Sequence, residues 1–362
     1  MRSLSDTIAR LGAVRALQNR AAASPAASRL AEFEDFGSNP GALRALFYVP
    51  ANARPNPPLV VVLHGCTQNA RDYDRGAGWS QLADALGFAL LFPEQRRSNN
   101  MNLCFNWYEP ANSRRGEGEP LSIVQMIDTM IARHGADASR VYVNGLSAGG
   151  AMTSVMLATY PERFAGGAII AGLAYGSARN IPEAFDRMRG HGGADGAGLE
   201  ASVRAASPHR GPWPSISVWH GSADAIVDSS NGEAILKQWQ RIHGVALEAD
   251  ETGTVDGYPH RLWRDAEGRA VIEDYRITGM GHGTPLATIG EDGCGTSGAH
   301  MLEVAISSTR HIARFWGLDD GDSIARPPVA HPIANDREPP SVTTQGVGKV
   351  IEDALRAAGL MR

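Results

Sequence analysis

The run Arg140-Val-Tyr-Val-Asn-Gly-Leu-Ser-Ala-Gly-Gly150 leaves very few backbones open to the chain that carries it. Val141 to Val143 are β-branched and aromatic and read as a short strand, and the small and apolar residues that follow to Ala158 read as a buried helix. Between them, Gly145-Leu146-Ser147-Ala148-Gly149 has the G-x-S-x-G spacing of a nucleophile elbow, a turn so sharp that its flanking positions have no room for side chains. Such a turn lifts Ser147 out at the end of the strand. The helix behind it aims unpaired N–H groups and the positive end of its dipole at any negative charge that forms there. With 41 glycines in 362 residues, the pentapeptide alone would arise by chance in roughly three such chains of ten. Its weight comes from the strand before it, the helix after it, and partners found in the required order.

Those partners lie downstream. The strand Ile216 to His220 runs into Gly221-Ser-Ala-Asp224, and the strand Val271 to Ile277 runs into Gly279-Met-Gly-His282-Gly283. An α/β-hydrolase takes its acid and base in the chain order Ser, Asp, His, each on a loop leaving a later strand, and Ser147, Asp224 and His282 meet that requirement. A serine hydroxyl is a weak nucleophile, so His282 is expected to take its proton, with Asp224 fixing the imidazole tautomer. Asp228 competes with Asp224 but lies further from the strand. His300 and His311 compete with His282, the first in a glycine-rich loop and the second inside a predicted helix. Upstream, the unbroken apolar run Leu59-Val-Val-Val-Leu63 suits a central strand covered on both faces. It ends in His64-Gly65-Cys66, where the N–H of Cys66, together with that of Ala148, is expected to form an oxyanion hole; His64 reads as structural.

The rest of the chain is organised around this frame. Residues 1–44 read as an amphipathic helix followed by a linker, residues 45–317 as one catalytic domain, and residues 318–362 as a proline-rich tail ending in a possible helix. Further strands are expected at Ala45–Val49, Phe88–Phe92 and Ala168–Ala171, and helices at Trp79–Leu86, Leu121–His134, Asn231–His243 and Glu303–Trp316. Residues 176–214 break the strand–helix rhythm and read as a small cap or lid. The polar stretch from Glu94 to Glu119 carries Phe105, Trp107 and Tyr108, which either pin the loop to the core or wall a pocket. Trp107, Tyr108 and Trp213 are the expected substrate-binding side chains, lining an aromatic groove.

A net charge of -5 gives no reason to expect nucleic acid as a partner, and no apolar run is long enough to span a membrane. Three cysteines cannot build a disulfide framework, although one internal pair can form. The spacings typical of metal sites are absent. The first residues lack an unbroken apolar core of the kind a secretory signal needs, so the expected location is the cytoplasm. Oligomeric state is not legible.

Taken together, LVVVLHGCTQ at 59–68, Asn106-Trp-Tyr108, RVYVNGLSAGG at 140–150, Tyr160-Pro-Glu-Arg-Phe164, Trp219-His-Gly-Ser-Ala-Asp224 and Ile306-Ser-Ser-Thr309 resemble the polyhydroxybutyrate (PHB) depolymerase family of esterases. That family is similar to the feruloyl and acetylxylan esterases. The resemblance covers roughly residues 45–317 and implies an α/β-hydrolase fold, with a mostly parallel sheet and helices on both faces. It implies a triad of Ser147, Asp224 and His282, an oxyanion hole at Cys66 and Ala148, no cofactor, and an oligomeric or small ester as substrate. Many relatives place a tryptophan shortly after the histidine, where this chain has Gly283-Thr-Pro285. The alternatives are a carbohydrate esterase and a serine peptidase of the prolyl-oligopeptidase type.

Overall fold

The computed structural model describes residues 28–290 and 293–319; the expected N-terminal helix and the proline-rich tail lie outside the described residues. In chain order the elements are β1 (Ala31–Phe33), β2 (Arg44–Tyr48), β3 (Leu59–Leu63), α1 (Ala70–Ala77), α2 (Trp79–Leu86), β4 (Ala89–Glu94), α3 (Gly118–His134), β5 (Val141–Leu146), α4 (Ala148–Thr159) and β6 (Gly166–Ile170). They continue with α5 (Ile181–Met188), α6 (Gly196–Ala206), β7 (Ser215–Gly221), α7 (Ser230–His243), β8 (Glu251–Val255), β9 (Tyr258–Arg264), β10 (Ala270–Ile277), β11 (Thr284–Leu286), β12 (Met301–Glu303) and α8 (Ser308–Phe315).

Ten strands form one sheet in the order β1-β2-β4-β3-β5-β6-β7-β10-β9-β8. The run from β4 to β10 is parallel, and the pairs at both edges are antiparallel. A parallel sheet needs helices on both faces, and its inner strands are then apolar throughout. β3 shows why: Leu59, Val61 and Leu63 face one core, with Met126, Ile127 and Met152 of α3 and α4, while Val60 and Val62 face the other, with Tyr73, Trp79 and Ile312 of α1, α2 and α8. This strand order with helices on both faces is the α/β-hydrolase fold. In such sheets sites form beyond the carboxyl ends of the strands, and β3, β5, β7 and β10 all end on that side.

The departures from expectation have local causes. The hairpin β8–β9 has a polar, exposed first strand and a second strand that buries only the adjacent Leu262 and Trp263, so it carries no alternating apolar period. Its one signal is Asp256-Gly257, both in the left-handed region (φ 49° and 84°) as a tight hairpin turn requires. The helix expected from Glu303 starts at Ser308 instead, capped by the Ser307 side chain, because Met301–Glu303 pairs with β11. In the 176–214 segment, α6 packs with α4 and α7 in the helical layer. From the preceding α5, Met188 alone reaches the site's cavity.

Candidate active site

Ser147 sits at the turn between β5 and α4 with φ 58° and ψ -117°, a conformation that non-glycine residues rarely hold. The turn is clamped: Ser147 N–H donates to Ile170 O of β6 (2.9 Å), and Ser147 O accepts from Ala151 N–H (2.8 Å). A Cβ on Gly145 would lie 2.4 Å from the carbonyl carbon of Gly149, and one on Gly149 would lie 2.2 Å from Leu63 O. No side chain fits at either position. The start of α4 therefore crosses directly over the end of β3, and the loop His64 to Gln68 is set beside Ser147.

That loop is fixed from several sides. Gly65 N–H donates to Gln68 Oε1 (2.8 Å), Thr67 N–H donates to Asn102 O (2.6 Å), and Cys66 is disulfide-bonded to Cys104. The N–H groups of Cys66 and Ala148 have no acceptor among the described residues, so both remain available to a developing oxyanion. His64 lies beneath, with Nε2 accepting from Gln95 N–H (3.2 Å) and Nδ1 bonded to Gly65 O (2.8 Å). Burial pushes its pKa down, so the ring is neutral and structural.

Asp224 leaves the end of β7 and His282 the loop after β10. His282 Nδ1 donates to Asp224 Oδ2 at 2.7 Å, while Asp224 Oδ1 accepts from the N–H groups of Ile226 and Val227, each at 2.9 Å. Burial pushes the Asp224 carboxyl up, but His220, His282 and the Val227 N–H outweigh it and hold the group well below the usual carboxylate range. It is a fixed anion, and it sets His282 with Nε2 as the free ring nitrogen. Asp228 accepts from Ser230 N–H (2.9 Å) at the start of α7 and does not reach His282. His311 is paired with Asp256 (2.8 Å) and does not line the cavity of Ser147 and His282.

Ser147 and His282 line one cavity of about 50 Å³, with Gly65, Cys66, Thr67, Gln68, Leu146, Met188, Ile226 and His300. Trp107, Tyr108 and Trp213 do not line it, which corrects the expected aromatic groove. Trp107 and Tyr108 are buried edge to face against each other (5.5 Å), and Trp213 packs on His209 and Trp239. Gln95, Asn106 and Glu119 of the 94–119 stretch are buried as well: Glu119 accepts from Gln95 Nε2 (2.7 Å), Asn106 N–H (2.9 Å) and Asn106 Nδ2 (2.7 Å), and Gln95 Nε2 also reaches Cys104 O (3.0 Å). Burial pushes Glu119 up to about 8. Sequence reasoning missed Met188 and Ile226, which carry no pattern of their own, placed Thr67 and Gln68 in the loop after β3 without giving them a role, and weighed His300 only as a rival to His282. Among the described residues no cluster of His, Cys, Asp and Glu is placed to hold a metal ion, and no helix is long and apolar enough to cross a membrane.

A family model described as "Esterase PHB depolymerase" matches residues 43–257. Poly(3-hydroxyalkanoate) depolymerase C of Paucimonas lemoignei is 44% identical over 300 residues, covering 82% of this chain and 72% of that protein. Feruloyl esterase B of Talaromyces funiculosus is 31% identical over 268 residues, covering 72% of this chain and 74% of that protein. The solved acetyl xylan esterase from Aspergillus awamori superposes with a TM-score of 0.68 at 26% identity, over 80% of this chain and 99% of its own.

Proposed function

The chain belongs to the PHB depolymerase family of esterases, and from that premise we propose that it hydrolyses hydroxyalkanoate oligomers or related polyesters through an acyl-enzyme on Ser147. It is a carboxylic-ester hydrolase. The observation that carries the mechanism is the 2.7 Å bond from His282 to Asp224 beside the cavity that His282 shares with Ser147. His282 Nε2 takes the hydroxyl proton as Ser147 Oγ attacks the ester carbonyl. The carbonyl oxygen gains charge facing the N–H groups of Cys66 and Ala148, which are held in place before the reaction begins. His282 then returns the proton to the leaving alcohol, and a water activated in the same way releases the acid. Asp224 stabilises the imidazolium and stays ionised throughout.

A cavity of about 50 Å³ is too small to enclose a chain of several units. Typical small-molecule pockets are several times larger. The ester group and a short acyl branch enter, and the rest of an oligomer lies across the mouth. That arrangement supports a substrate with short repeating units, as does the identity to the Paucimonas lemoignei depolymerase. The Cys66–Cys104 bond favours an oxidising compartment over the cytoplasm expected from the N-terminal residues.

The similarity to feruloyl and acetylxylan esterases supports a second reading, a carbohydrate esterase built on the same site. Hydroxybutyrate trimers and methyl ferulate, offered at equal concentration, separate the two. The polyester reading requires faster release of hydroxybutyrate units; faster release of ferulate would transfer the assignment to the carbohydrate esters.

A further inference from the structure

His300 is the second central residue of a tight turn in which Gly298 and Met301 exchange backbone hydrogen bonds of 3.0 and 3.1 Å. Its φ is 58°, at a turn position that favours glycine, yet it carries an imidazole. The turn is held against the segment after β10. His300 O accepts from Thr284 N–H (2.8 Å), β11 pairs with β12, and the rings of His282 and His300 meet edge to face at 5.7 Å. His300 Nδ1 lies 3.0 Å from His282 O. A carbonyl oxygen can only accept, so Nδ1 carries hydrogen, and in the neutral ring Nε2 presents a lone pair. Nε2 has no partner among the described residues, and His300 lines the cavity of Ser147 and His282. The proton relay does not use this ring, because Asp224 already fixes His282.

We propose that His300 determines specificity: Nε2 accepts a hydrogen bond from a free hydroxyl that the substrate carries close to its scissile ester. The proposal rests on the esterase reading and narrows its substrate class. An ester chain offers acceptors along its whole length, and an acceptor cannot pair with a lone pair. In an uncapped hydroxyalkanoate oligomer the alcohol donor is the terminal hydroxyl, so His300 directs cleavage to the hydroxyl end. In a sugar ester the same chemistry comes from a neighbouring ring hydroxyl.

The test compares kcat/KM for p-nitrophenyl 3-hydroxybutyrate with that for p-nitrophenyl butyrate, which lacks only the hydroxyl, in the wild type and in His300→Gly. Glycine suits the left-handed turn, so the variant is expected to fold. The wild type should prefer the hydroxylated ester by roughly threefold to tenfold, as one neutral hydrogen bond allows, and the ratio should fall to about one in the variant. Disturbance of His282 would lower both rates together and leave the ratio in place. A second arm offers hydroxybutyrate trimers, free or O-acetylated at the hydroxyl end, and a monoacetylated xyloside, free or O-methylated. Discrimination between the trimers assigns the donor to the chain end; discrimination confined to the xylosides assigns it to a sugar. Equal turnover within every matched pair by the wild type, or ratios unchanged in His300→Gly, overturns the proposal while leaving the esterase reading intact. No turnover of any ester by the wild type would remove both.

Discussion

Ser147 is held at positive φ by bonds to its backbone alone, so Ser147→Ala should keep the fold and lose the chemistry. Removal of such a nucleophile lowers kcat by on the order of a millionfold. Retention of one hundredth of the rate on p-nitrophenyl butyrate would show that the nucleophile lies elsewhere. The two candidate acids separate in the same assay. Asp224→Asn replaces the anion that fixes His282 with an amide able to stabilise the wrong tautomer, and should cost about four orders of magnitude. Asp228 bonds to Ser230 N–H at the start of α7, so Asp228→Asn should change the rate less than about threefold, since asparagine serves a helix start as well. The reverse ranking would move the acid to Asp228. Both aspartates follow one strand in the sequence; what distinguishes them is which one the loop turns toward β10.

The loop after β3, proposed to supply an oxyanion donor, is held by a disulfide to the long loop between β4 and α3. Cys66 and Cys104 are 38 residues apart, and closing a loop of that length stabilises by about 4 kcal/mol if the whole effect lies in the unfolded chain. The double variant Cys66→Ala/Cys104→Ala should therefore unfold at a clearly lower urea concentration yet remain active, because alanine keeps the N–H. Adding the backbone lesion, as Cys66→Pro/Cys104→Ala, should lower kcat by a further hundredfold or more, the usual loss for one oxyanion donor. Equal kcat in the two double variants would remove Cys66 from the oxyanion hole. Urea midpoints that do not change on reduction would show that the loop is held by the Glu119 network instead.

Stability across pH reflects groups spread through the fold. His243, in the last turn of α7, bonds through Nε2 to Pro214 O (3.0 Å) just before β7, and burial lowers its pKa from 6.5 to about 4. A base whose folded pKa is depressed contributes stability that is present above the unfolded value and lost as pH falls through the folded one. The window is therefore pH 6.5 down to 4. Partial solvent access at the ring trims the full effect, leaving about 2 kcal/mol between pH 7 and 4.5. Glu119 works in the opposite direction: its folded pKa is raised to about 8, so its contribution is present at low pH and is lost as pH rises from about 4.5 to 8. His243→Gln keeps a donor toward Pro214 O and does not titrate. Its urea midpoint should fall less than that of the wild type between pH 7 and 4.5, and parallel curves would show that His243 is not the group responsible.

The amino-acid sequence determined the strand run at 59–63, the elbow at 145–149 and the order Ser147, Asp224, His282, because each is a local pattern with a local physical reason: two-sided burial, steric exclusion of Cβ, and a loop at a strand end. It also contained the Asp256-Gly257 turn of the β8–β9 hairpin, which is easily passed over because neither strand alternates apolar and polar residues. What no local pattern carries is the destination of amphipathic side chains. Trp107, Tyr108 and Trp213 could equally wall a groove or pack inward; in the structure Trp107 and Tyr108 join the core with α3 and α4, and Trp213 packs part-buried on Trp239 of α7. The buried network of Gln95, Asn106 and Glu119 reads as hydrophilic loop until its partners, up to 24 residues apart, are brought together. His300 came to the site through the pairing of β11 with β12. Local sequence set the nucleophile's backbone, whereas contacts between distant segments, which depend on how the whole sheet closes its two cores, chose the residues that surround it.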